Sequence, residues 1–103
     1  MNKINNQVEI LENLSKILDV EADTGYEYLE CKFEVDEQSV NTKFVFSLNG
    51  SIVNRAISLK NRLQNMRLVL MLHSMMKSQT GGDWKSMTLT IDENREAKTH
   101  FEY

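Results

Sequence analysis

The sequence predicts an α+β domain in which two helices pack on one face of a four-stranded antiparallel sheet, in the order α-β-β-α-β-β. Three observations predict it. Apolar residues recur every three or four positions near the start and in the middle of the chain. Between and after those stretches the spacing changes to strict alternation. The alternating runs come in adjacent pairs across short polar breaks, the pattern of hairpins and not of parallel strands joined by crossovers. With 103 residues, 41% of them hydrophobic, residues 1–103 have the size of one domain with one two-layered core.

Ile4, Val8, Leu11, Leu14 and Leu18 form the first apolar stripe and predict an amphipathic helix over about residues 3–19. Leu29, Cys31, Phe33 and Val35 then alternate with Tyr28, Glu30, Lys32 and Glu34, which makes a strand with one apolar and one polar face. Asp36 to Ser39 reads as a turn, and Val40, Thr42, Phe44, Phe46 and Leu48 continue the alternation as the second strand. Asn49-Gly50 ends it. Ser51 is the expected N-cap of a long helix over 52–78, with Ala56, Leu59, Leu63, Met66 and Leu70 in its buried stripe and a break near Ser58–Asn61 allowed for. Gly81-Gly82 stops that helix. Met87, Leu89 and Ile91, then Ala97, Thr99, Phe101 and Tyr103, give the second hairpin around the Asp92-Glu93-Asn94 turn.

Motifs for chemistry are missing from this pattern. His73 lies inside the apolar helix and His100 on the polar side of the last strand, and neither has metal-ligand spacing. Cys31 is in phase with Leu29 and Phe33, so it is expected in the core, and the acids around it oppose a thiolate. Gly81-Gly82 follows a helix and precedes a strand, the reverse of a phosphate loop. The expectation is therefore a protein that is not an enzyme and holds no cofactor or metal. The lone cysteine favours a reducing compartment, hence the cytoplasm. The longest apolar run, Leu68 to Leu72, is far short of a membrane span.

The charge of −3 is unevenly laid out. Residues 49–82 hold Arg55, Lys60, Arg62, Arg67 and Lys77 and no acid. From 19 to 37 stand Asp19, Glu21, Asp23, Glu27, Glu30, Glu34, Asp36 and Glu37 against Lys32 alone. Such a field repels nucleic acid and steers a basic partner. Alternation puts Glu30 and Glu34 on one exposed face beside Tyr28, so these eight carboxylates and Tyr28 are the expected partner-binding residues. Tyr26 and Trp84 also fall on the polar side of the pattern, where aromatics either anchor interfaces or lie as lids over a sheet edge. The four methionines of the second helix, Met66, Met71, Met75 and Met76, are expected as core filling.

Residues Gly82 to Ile91, with Trp84 and the Leu89-Thr90-Ile91 strand, followed by the Asp92-Glu93-Asn94 turn and the His100-Phe101-Glu102-Tyr103 ending, resemble the YezG-like immunity family. The order of elements is similar as well. The likeness covers most of the chain as pattern and about its last twenty residues as motif. It implies an immunity-protein-like domain that acts as a cytoplasmic antidote. Such a domain binds and neutralises the C-terminal domain of a polymorphic or contact-dependent growth inhibition toxin, expected to be a basic nuclease. The acidic field and the short apolar runs lead to no expected direct contact with nucleic acid or membrane, and a monomer or weak homodimer is expected. The competing expectation is a non-catalytic adaptor or regulatory subunit, associating through a sheet edge or the methionine-rich helix.

Overall fold

A computed structural model describes residues 6–22, 25–37 and 39–103. Its elements are α1 (Gln7–Glu21), β1 (Tyr28–Asp36), β2 (Ser39–Leu48), β3 (Ser51–Asn54), α2 (Leu59–Thr80), β4 (Ser86–Ile91) and β5 (Ala97–Glu102). The α+β class and antiparallel pairing are as expected, but the sheet has five strands, in the order β3-β2-β1-β4-β5. Every neighbouring pair is antiparallel.

The additional strand corrects the reading of residues 52–58 as helix with Ser51 as its N-cap. Asn49 and Gly50 both take positive φ, 53° and 78°, the two-residue turn whose twist suits a hairpin. Leu48 and Ser51 pair directly across it, and Phe46 pairs with Val53. Ser51 is thus the first residue of a strand, and Ile52 and Val53, β-branched and stiff, fill it. Residues 55–58 are irregular, and α2 begins at Leu59 with Ser58 in the N-cap position.

Helix α1 starts where its local chemistry favours a start. The Asn6 Oδ1 accepts the Glu9 N–H (2.9 Å) and its amide donates to the Glu9 carboxylate (2.8 Å), a reciprocal cap. Ile10, Leu14 and Leu18 are fully buried. They meet the sheet face formed by Leu29, Cys31 and Phe33 of β1, Phe44 and Phe46 of β2, and Met87, Leu89 and Ile91 of β4, in one core. Helix α2 joins the same core through Leu68, Val69 and Leu72. It ends at Gly81, whose left-handed φ of 75° lets its N–H reach the Lys77 carbonyl (3.0 Å).

The buried stripe of α2 is not the expected one. Ala56 lies outside the helix and is exposed, Leu59 and Leu63 are 62% and 51% exposed, and Met66 and Leu70 are half-buried. At 100° per residue, Leu59, Leu63, Met66 and Leu70 lie on the far side from Leu68, Val69 and Leu72. From Leu68 to Leu72 apolar side chains surround this helix nearly all the way round, so contact with α1 and the sheet selected the buried face. That face includes Asn65, wholly buried with neither amide atom hydrogen-bonded. Trp84 is also wholly buried, a correction to its placement on the polar side. Its ring meets His73 edge-on (4.9 Å) and Phe101 (5.2 Å), and its N–H points at the Met76 sulfur (3.3 Å). Tyr26 is buried too, at 3% exposed.

Candidate interaction surface

Because side chains alternate along a strand, the residues between the core positions all project to the face the helices leave open. The register arranges them in rows. One row runs Asn54, Val45, Glu30, Thr90, Lys98; the next Lys43, Lys32, Thr88, His100; the next Asn41, Glu34, Ser86, Glu102. Tyr28 stands beside Ser47 at the near end, 41% exposed. This face is striped in charge. Lys32 and Lys43 oppose each other directly, a repulsive pair relieved by neighbouring carboxylates. Lys32 Nζ lies 3.8 Å from Glu102 Oε1. A shallow depression of about 450 Å³ next to β3 is lined by Glu30, Lys32, Lys43, Val45, Asn54 and Arg55, among others.

The structure distributes the expected partner-binding carboxylates over three places. Glu30 and Glu34 share the open face with Tyr28. The Tyr28 hydroxyl donates to Glu30 (3.2 Å), and the Asn41 amide donates to Glu34 (3.2 Å). Partial burial and then the Glu30 charge raise the Tyr28 pKa. Asp36 ends β1, about 26 Å along the strand from Tyr28 at ~3.3 Å per residue, and Glu37 follows it in the β1–β2 turn. Asp19, Glu21 and Glu27 gather at the opposite pole, where α1 ends and β1 begins. Asp23 lies outside the described residues.

The acids of that pole are already engaged within the chain. Asp19 accepts the Tyr26 hydroxyl (2.7 Å), while the Arg95 guanidinium lies 4.0 Å over the Tyr26 ring and donates to the Tyr26 carbonyl (3.1 Å). Burial, then the Asp19 bond, pushes the Tyr26 phenol up to about 12. Glu27 accepts from Ser47 Oγ and the Gly50 N–H (both 3.2 Å), tying the start of β1 to the β2–β3 turn. Glu21 accepts from the Ser58 N–H (3.0 Å), the Ser58 hydroxyl (2.9 Å) and the Asn61 amide. Burial opposes its charge, but these donors and nearby Arg55 outweigh it and hold the carboxyl below its ordinary value. Glu21 therefore supplies, from the end of α1, the cap that Ser58 does not give α2.

A cluster that sequence spacing did not indicate stands near the other pole. His73 Nε2 lies 3.1 Å from Asp83 Oδ1, and Lys77 and Lys85 lie 3.8 and 3.7 Å from Asp83 Oδ2. The two lysines, then His73, lower the Asp83 pKa. A His–Asp pair can orient a general base, but this one needs a nucleophile or substrate proton beside it. Among the described residues the hollow there is lined by Val35, Glu37, His73, Lys77, Asp83, Trp84 and Lys85, none of which carries a hydroxyl or thiol. The pair came from helix α2 ending and turning back at Gly81, which no local periodicity encodes. Cys31 is wholly buried, and burial followed by the Glu30 charge raises its thiol pKa. Among the described residues no group of three His, Cys, Asp or Glu side chains is placed to hold a metal ion, and no helix is long and apolar enough to cross a membrane.

No protein-family model matches the chain and no curated protein matches it.

Proposed function

We propose that this domain is an immunity protein that binds and neutralises a cognate bacterial toxin domain, with a basic nuclease of a contact-dependent growth inhibition system as the target. The observation that carries the reading is the sheet face that neither helix covers, where Tyr28, Glu30 and Glu34 stand outward together. An uncovered sheet face with an aromatic anchor and fixed carboxylates is suited to meet bases that would otherwise hold phosphate. The acids of the nearby pole add long-range attraction, while Lys32 and Lys43 between the carboxylates restrict which partner fits. The resemblance of the C-terminal hairpin supports the same assignment. In this reading Glu30, Glu34 and Tyr28 touch the toxin, and Asp19, Glu21 and Glu27 hold the pole in shape as well as adding field.

The test is binding of the purified protein to the toxin domain encoded immediately upstream of its gene, by calorimetry at low and high salt, together with rescue of cells expressing that domain. Tight, salt-sensitive binding and rescue are expected. Glu30→Lys with Glu34→Lys should weaken binding about tenfold or more without unfolding the domain. Absence of a complex rejects the assignment. A complex whose affinity ignores both charge reversals and salt rejects the surface.

A further inference from the structure

We propose that β5 is a self-pairing edge: two copies of this chain join β5 to β5, antiparallel, about a two-fold axis at His100, making one continuous sheet from two. Strand β5 ends the sheet order, and no strand among the described residues pairs with its outer side. Its residues are exposed on both faces apart from half-buried Phe101.

The hydrogen-bond phase fixes which groups that edge offers. The Asp92 N–H bonds to the Glu96 carbonyl (3.1 Å) and the Lys85 N–H to the Glu102 carbonyl (2.7 Å). In an antiparallel ladder bonding residues alternate, so Lys98, His100 and Glu102 turn their main-chain groups to β4, and Thr99 and Phe101 turn theirs outward. A two-fold through His100 brings Thr99 of one copy opposite Phe101 of the other, twice, and closes four main-chain hydrogen bonds. The same register sets Lys98 opposite Glu102 of the second copy, again twice, in the non-bonded positions where side chains come closest. A lysine on an edge ordinarily guards against pairing. Here the symmetry places a carboxylate across from it. Glu102 uses Oε1 toward Ser86 (3.2 Å) and Lys32 (3.8 Å), and Oε2 takes part in neither contact. The edge is thus self-complementary in both hydrogen bonds and charge, as a two-fold interface requires. At the other end of the sheet, β3 has four residues, Ser51–Asn54, and no charge to set a register.

Six residues per copy make an interface smaller than the roughly 1,200 Å² of a standard one, so a dissociation constant on the order of 100 µM is expected. Sedimentation equilibrium of the full chain over a concentration series should show reversible dimers. Lys98→Glu and Glu102→Lys should each weaken association about tenfold or more, because each puts like charges opposite twice. An equimolar mixture of the two variants should restore dimers. In the mixed pair the two carboxylates of one variant face the two ammonium groups of the other. Thr99→Pro removes an outward N–H, leaves the bonds to β4 in place, and should also abolish pairing. Circular dichroism checks that each variant is folded; if Glu102→Lys is not, Lys98→Glu and Thr99→Pro decide. A wild-type chain that stays monomeric to about 1 mM overturns the proposal. So do dimers indifferent to Lys98→Glu and Thr99→Pro, and a mixture of folded variants that stays monomeric.

Discussion

Sequence position groups Glu21 with an acidic docking surface, and the structure gives its carboxylate work inside the fold. Replacing it by alanine tests that work. The side chain takes the Ser58 N–H, the Ser58 hydroxyl and the Asn61 amide, all at the first turn of α2. Ser58 itself makes no side-chain capping bond. Loss of a helix cap costs about 1 kcal/mol, and a carboxylate at a helix N-terminus adds roughly 0.3–1 kcal/mol. The donors are near the surface and regain water when Glu21 is cut back, so the bond energies are not added on top. The expected loss for Glu21→Ala is therefore about 1–2 kcal/mol, and about half of that for Glu21→Gln, which keeps an acceptor but not the charge. Urea unfolding measures it as a lower midpoint at unchanged slope, and amide exchange should quicken first in the opening turn of α2. The sign with pH follows from the lowered carboxyl. Its contribution is complete above the ordinary value of 4.5 and is lost as the pH falls through the lower folded value. The difference between wild type and Glu21→Gln should shrink in acid accordingly. Equal midpoints for Glu21→Ala and wild type, with partner affinity falling instead, would refute the capping role and return Glu21 to the interface.

Three further outcomes follow from single buried groups. Asn65→Leu removes a wholly buried amide with neither atom bonded and should stabilise the fold by about 1–3 kcal/mol; a lower urea midpoint would mean the amide has an unseen role in packing. Cys31, at 0% exposed with its thiol pushed up by burial, should resist a thiol reagent in the native protein and react at the rate of unfolding; rapid native labelling contradicts that placement. In an ultraviolet titration Tyr26 should ionise near 12, and Asp19→Asn should bring it down. Because its pKa is raised, the stability it adds is complete below pH 10 and is lost as pH rises through about 12.

The hairpins were legible because alternation is a local property. Tyr28 to Leu48 and Ser86 to Glu102 carry it with few exceptions, and the observed registers keep Leu29, Cys31, Phe33, Met87 and Leu89 on one side. Strand β3 escapes a reading by period although Asn49-Gly50 is a strong hairpin signal, because the apolar residues after it also fit a helix. Four residues are too few for either period to prevail, and pairing with β2 decided. Trp84 and Tyr26 elude it for a related reason. They stand outside the alternating runs, where a side chain's direction follows the path of the connecting chain.

By itself the sequence determined the class, the two hairpins and the face that bears Glu30 and Glu34, all of which follow from spacing along a few neighbouring residues. Only the tertiary structure decided which side of α2 is buried and which carboxylates are occupied at home. Glu21 meets Ser58 and Asn61 across 37 and 40 positions of chain, and His73 meets Asp83 across a helix end. Whether a carboxylate is available to a partner depends on which donors the fold brings to it, and those donors are distant in sequence.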